Sequence, residues 1–178
     1  AVDSCVDLAD AYNIKVITIS LGWSDPTEDP DCRPFGYGSE TDVINNAYDA
    51  GLFIDGSSGN DSSSEGVKWP ACTRGVTSVG STAKNDSVSW FTNRGTNLDL
   101  LAPGGYSGGT GFNCPDQDRI CSTYLNSQIA GLSGTSMAAP HFTGAAALLL
   151  KADPTMTPAQ VYSVLTETAK DLGVTGFD

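Results

Sequence analysis

Residues 136–151, Ser-Met-Ala-Ala-Pro-His-Phe-Thr-Gly-Ala-Ala-Ala-Leu-Leu-Leu-Lys, constrain the fold more than any other stretch. Small and apolar residues occupy several faces at the helical period, so a helix here belongs in the middle of a layered structure rather than on its surface. Pro140 is expected within or near its first turn, where few N–H bonds are lost. Helical and strand-like segments alternate before it. Val2, Cys5, Val6, Leu8, Ala9 and Tyr12 have roughly helical spacing over 2–12, and Ile14 to Ser20 is a β-branched run suited to a buried strand. Thr41 to Ala50 reads as a helix ended by Gly51. Residues 52–55, 76–80, a shorter 88–91, and 98–101 read as strands. A last helix is expected from Thr157 and Pro158 to about Lys170, whereas residues 102–128, studded with Gly104, Gly105, Gly108, Gly109 and Gly111, read mostly as loop. Such alternation predicts the α/β class: a three-layer αβα arrangement with a mostly parallel sheet, a buried central helix, no internal repeat and one domain over 1–178.

Ser136 opens the central helix, in the run Ser133-Gly134-Thr135-Ser136. Gly134 removes side-chain bulk so that backbone and substrate can approach, and a helix N-terminus offers N–H groups and positive dipole to a developing negative charge. Such a site suits acyl transfer. Taken alone, Gly-Thr-Ser is equally an ordinary helix cap.

The full run Ser133-Gly134-Thr135-Ser136-Met137-Ala138-Ala139-Pro140-His141, continued by Phe142 to Leu148, resembles the nucleophile segment of the subtilisin-like serine peptidases. Other segments resemble that family in the required order. Ser20-Leu21-Gly22 is similar to its substrate-binding strand edge, Ser57-Ser58-Gly59-Asn60 to its oxyanion-hole segment, and Leu98 to Gly104 to the strand and turn leading toward the nucleophile. The resemblance implies a subtilisin-like fold whose central helix starts at the catalytic Ser136. It implies Asn60 as a side-chain donor to the oxyanion beside the Ser136 N–H, and peptide binding along Ser20, Leu21 and Gly22 opposite Ser57, Ser58 and Gly59. The pocket for the residue on the acyl side of the scissile bond, P1, would lie between these walls and be bounded by the 61–69 loop. Glu65 in that loop could favour a basic side chain, although a solvated loop carboxylate is the simpler reading.

In this family the triad runs Asp, His, Ser along the chain. Motifs for the first two are not found upstream of Ser20, and the chain stops at Phe177-Asp178 where the family usually continues. The expectation is therefore an incomplete subtilisin-like domain, truncated at both ends. His141 is the single histidine, five residues beyond Ser136. At roughly 100° per residue the two point to different helix faces, and the matching histidine of the family is structural. A sheet lacking its first strands would expose an apolar edge and the flank of the central helix, predicting a homo-oligomer or association with a missing N-terminal segment. Two other readings stand beside the peptidase: a catalytically inert folded or assembly module, and a sedolisin-type acid serine peptidase. Gly59-Asn60 weakens the last, because that family resembles an aspartate-based oxyanion site.

The 21 acidic residues against 9 basic give a net charge of −12, which argues against a nucleic-acid partner. No apolar run of about 18 residues is present to span a membrane. Peptide or protein is the expected partner, and secretion the expected location. Five cysteines then point to disulfides with one thiol left over. Cys114 and Cys121 bracket a polar, turn-rich loop that closes easily. The pairing of Cys32 with Cys72 is implied by resemblance to a disulfide of some family members, and leaves Cys5 odd. Five buried thiols are the alternative. No cofactor is expected, and structural calcium, conceivable near Val67, Trp69 and Asp99 by resemblance, is not assigned.

Overall fold

A computed structural model describes residues 1–29, 32, 38–107, 111–112, 114 and 118–172. Helix α1 (Val2–Tyr12) ends where Asn13 turns left-handed at φ 52° and leads into strand β1 (Val16–Ile19). Then follow β2 (Trp23–Thr27), α2 (Gly38–Asp49), β3 (Phe53–Ser57), β4 (Val67–Trp69), β5 (Val76–Thr82) and β6 (Leu100–Pro103). The chain continues through β7 (Ile120–Tyr124), β8 (Gln128–Leu132), α3 (Thr135–Ala152) and α4 (Pro158–Glu167).

The main sheet is parallel, in the order β1-β3-β5-β6, with Ile17 opposite Ile54, Ile54 opposite Val76 and Val79 opposite Leu100. Every residue of β3 and β5 is buried, as expected for strands covered on both faces. On one face Ile17, Ile54 and Val76 pack with Ile44 and Ala47 of α2, and α1 adds Val2, Val6 and Ala9. On the other, Phe53, Val79, Leu100 and Ala102 meet Ala138, Ala139, Phe142, Ala146 and Leu150 of α3, with Val161 of α4. This is the three-layer αβα architecture. Helix α4 starts on a capping box, Thr157 and Gln160 satisfying each other's backbone N–H groups.

Three expectations need correction, and the place of Pro140 is refined. The 102–128 segment is not loop to its end: β7 lies within it and pairs antiparallel with β8 as a hairpin, Ile120 opposite Leu132 and Tyr124 opposite Gln128. Its cross-strand pairs mix Ser, Thr and Gly with apolar residues, which blurs the alternation that marks a strand. Residues 88–91 form no strand; only Val88 bridges to Thr82, because Ser89 N–H donates to Ser81 O and Thr92 N–H to Ser89 O, curling the segment against β5. Pro140 is the sixth residue of α3, in its second turn, and withholds the N–H that would bond to Ser136 C=O. Helix α3 is also buried on one side only: Leu148 is 70% exposed, and Gly144 and Ala147 are exposed with it. β1 is the edge of the sheet, so nothing in the described sheet covers the neighbouring flank of α3.

Candidate active site

Two chain segments far apart in sequence meet where β3 ends and α3 begins. Thr135, fully buried, donates its backbone N–H to Asn60 Oδ1 at 2.9 Å and its hydroxyl to the same oxygen at 3.1 Å, while accepting the Gly59 N–H at 3.2 Å. An amide oxygen held by two donors fixes the orientation of the Asn60 side chain: Oδ1 is spent on Thr135, and Nδ2 stays at the α3 entrance, a β-carbon at Gly134 lying 3.6 Å from both amide atoms. Gly134 N–H is anchored to Gly104 O at 2.9 Å, tying the α3 entrance to the end of β6. Ser136, half-buried, is the second helical residue, a position where a backbone N–H has no intrahelical acceptor. Asn60 and Thr135, the residue before Ser136, are thus brought together from 75 positions apart.

His141 lies on the exposed side of α3, its Nδ1 2.9 Å from Met137 O one turn back. Gly59 adopts φ +107°, and a β-carbon there would collide with Asn93 Nδ2 as well as come within 3.1 Å of Lys68 Cγ and Cδ. Only glycine fits. Asn93, fully buried, spans the turn after Asn60: its Oδ1 accepts the N–H groups of Asp61 (2.8 Å) and Ser63 (3.1 Å), and its Nδ2 donates to Ser58 O and to Asp61. Lys68 reaches Asp61 at 2.8 Å. Burial works against the Asp61 charge, yet hydrogen bonds from Lys68, Asn93 and the Asn60 backbone, with the Lys68 charge, hold the carboxyl below its usual range.

Ser20, Leu21 and Gly22 follow β1 outside the strand, and Leu21 is 53% exposed. A β-carbon at Gly22 would sit 2.8 Å from Trp69 O and 3.5 Å from Lys68 Cβ, so this segment lies against β4. Ser57 and Ser58 are buried, with Ser58 O accepting the Lys68 N–H. Glu65 is exposed. The two sulfur pairs Cys32–Cys72 and Cys114–Cys121 are disulfides, and Cys5 is a free thiol. Among the described residues no group of three or more His, Cys, Asp or Glu is placed to hold a metal ion. Asp99 spends its carboxylate on Ser78 and on the Tyr162 hydroxyl, whose pKa is pushed up to about 12 by burial and by the Asp99 charge and hydrogen bond.

Sequence reasoning passed over Thr135, Asn93 and Asp55. Asp55 is fully buried in β3 and accepts the hydroxyls of Thr18 (2.8 Å) and Thr143 (2.7 Å), joining β1, β3 and α3. Burial pushes its carboxyl up to about 6, although both hydrogen bonds pull it back. An acid inside the apolar run that begins Leu52-Phe53-Ile54 was the available signal.

Residues 2–178 match the model of the subtilase family. The chain is 31% identical over 176 residues to subtilisin DY of Bacillus licheniformis, covering 97% of this chain and 56% of that protein. It is 34% identical over 173 residues to the minor extracellular protease Epr of Bacillus subtilis (strain 168), covering 97% of this chain and 23% of the other. Among solved structures, a protease of Pseudoalteromonas arctica superimposes with a TM-score of 0.75 at 31% identity, over 88% of this chain and 44% of that one. This chain therefore spans about half or less of the length of the proteins it matches.

Proposed function

This chain belongs to the subtilase family, and from that premise we propose that it is the nucleophile-bearing part of a secreted serine endopeptidase. The observation that carries the reading is the Thr135–Asn60 pairing, which sets an oriented amide beside the first turn of α3. Ser136 Oγ attacks the peptide carbonyl, and the carbonyl oxygen becomes an oxyanion held by Asn60 Nδ2 and the Ser136 N–H. His141, bonded to Met137 O, is not the base. The proton goes to a histidine from a segment outside these 178 residues, consistent with the share of each relative that the chain spans. Ser20, Leu21 and Gly22 receive the substrate as an added strand, facing the Ser57, Ser58 and Gly59 wall. Secretion is supported by the extracellular protease among the relatives.

The open edge of β1 and the exposed Leu148 favour association with that further segment, or with a second copy, in place of an isolated existence. Removing the histidine of such a triad costs about 10⁶ in turnover, a figure known from subtilisin, so the chain by itself is expected to be nearly inert.

Intact-mass labelling of the 178-residue chain with a fluorophosphonate, beside Ser136→Ala and His141→Ala, tests the reading. No labelling of the chain alone, with stoichiometric labelling at Ser136 once it is joined to a His-bearing segment, is expected. Labelling that survives Ser136→Ala would overturn the assignment of the nucleophile, and labelling lost in His141→Ala would overturn that of the base.

A further inference from the structure

We propose that Lys68, steered by Asp61, forms the floor of the P1 pocket and selects an oxygen-bearing side chain, glutamate or glutamine, over an aromatic or a basic one. The inference rests on the peptidase reading and deepens it to a substrate class. It starts from the two glycines of the opposing walls. A β-carbon at Gly22 would meet Lys68 Cβ at 3.5 Å, and one at Gly59 would meet Lys68 Cγ and Cδ at 3.1 Å. One lysine stem therefore lies against both walls and fills the floor between them.

Chemistry at the end of the stem decides between the polar alternatives. The Asp61 carboxylate already receives Lys68, Asn93 Nδ2 and the Asn60 backbone N–H. An ammonium carries three donors, and Asp61 is the one side chain bonded to that of Lys68 among the described residues. The unspent hydrogen-bonding capacity is thus donor capacity, and it is matched by a carboxylate or carboxamide oxygen. A lysine or arginine at P1 would bring a second cation to the same floor. The Lys68 side chain is 22% exposed and its bond to Asp61 lies at the surface, so an incoming oxygen can reach the ammonium.

Hydrolysis by the parent peptidase of peptides differing only at P1 provides the test, with kcat/KM read for Glu, Gln, Phe and Lys. The expected order places Glu and Gln at least ten-fold above Phe and Lys. Lys68→Met should lower the Glu and Gln values about ten-fold and raise that of Phe, whereas Asp61→Asn should raise Glu relative to Gln. Phe or Lys preferred by the wild type, or a profile unmoved by Lys68→Met, overturns the proposal. If no peptide is cut and no fluorophosphonate adduct forms on Ser136, it is the peptidase reading that falls. The pocket is then judged by NMR titration of the 178-residue chain with the same peptides as C-terminal amides. Movement of the Lys68 ε-methylene signal by the Glu and Gln peptides and not by Phe supports the selection; equal or no movement overturns it.

Discussion

Strand β3 and the β7–β8 hairpin each deliver one residue to the same place, Asn60 from the first and Ser136 from the second, yet they are built in opposite ways. β3 is buried along its whole length and bonded to a parallel neighbour on both sides. The hairpin is exposed from Cys121 to Ile129, with Leu125 and Ile129 71% and 59% accessible, and its ring contact between Phe112 and Tyr124 stands on the surface. A disulfide, Cys114–Cys121, does there what packing does for β3. The difference shows where the geometry of the site is determined. Asn60 is positioned by a strand that cannot shift without disturbing two cores, and α3 is registered against it through Thr135 and the Gly134–Gly104 bond. The hairpin supplies the approach to Ser136 but little of its placement.

The comparison breaks first, if it breaks, in the interior. Phe142 is buried on α3 against Phe53 of β3, their rings 6.0 Å apart. Phe142→Ala should destabilise the chain by about 3–5 kcal/mol in chemical denaturation. A loss below about 1 kcal/mol would mean that the β3–α3 interface is not what holds the site.

A second effect follows from Asp55. Its folded-state pKa, about 6, lies above the ordinary 3.8, so the native state binds the proton more tightly than the unfolded chain. Its contribution to stability is fully present below pH 3.8 and is lost as pH rises through 6, amounting to about 3 kcal/mol over the whole interval. Relative to Asp55→Asn, the wild type should therefore lose stability between pH 4 and pH 7. Parallel stability curves for the two proteins would show that Asp55 is ionised without cost inside the sheet.

The smallest effect belongs to the hairpin. Cys114→Ser with Cys121→Ser opens a short loop whose closure is worth about 2 kcal/mol on the chain-entropy model. Because the loop lies outside both cores, hydrogen exchange should quicken over 118–132 while protection of β3 and β5 stays unchanged. Accelerated exchange in β3 would show that the hairpin braces the interior after all.

How much of this could be read in advance tracks the same contrast. The helices at 2–12 and 158–167 and the buried strands were legible, because burial on one side or both leaves periodic or continuous apolar runs. The hairpin was not, since a pair of strands exposed on both faces imposes no alternation on Ser122, Thr123 and Ile129. The short β2–β4 pairing, with Trp23 opposite Trp69 and their rings 4.4 Å apart, left no local signal either, because its partners lie some forty residues apart. Of the site, Ser136 and Asn60 were legible as motif residues. Thr135, Asn93 and the Lys68–Asp61 pair were not, for each acts through a neighbour that only folding supplies.

The sequence by itself determined the class of fold and the chemistry on offer: a small-residue helix entered through Gly134-Thr135-Ser136, strands that must be covered, and a Gly-Asn pair after one of them. These are properties of local pattern, in which composition and spacing state what must be buried. Tertiary structure alone decided that the Asn60 oxygen turns to Thr135, that Lys68 crosses between Gly22 and Gly59, and that the carboxyl of Asp55 is raised by burial between two threonine hydroxyls. Hydrogen-bond direction, close approach and desolvation depend on groups brought together across the chain, and no spacing along it encodes them.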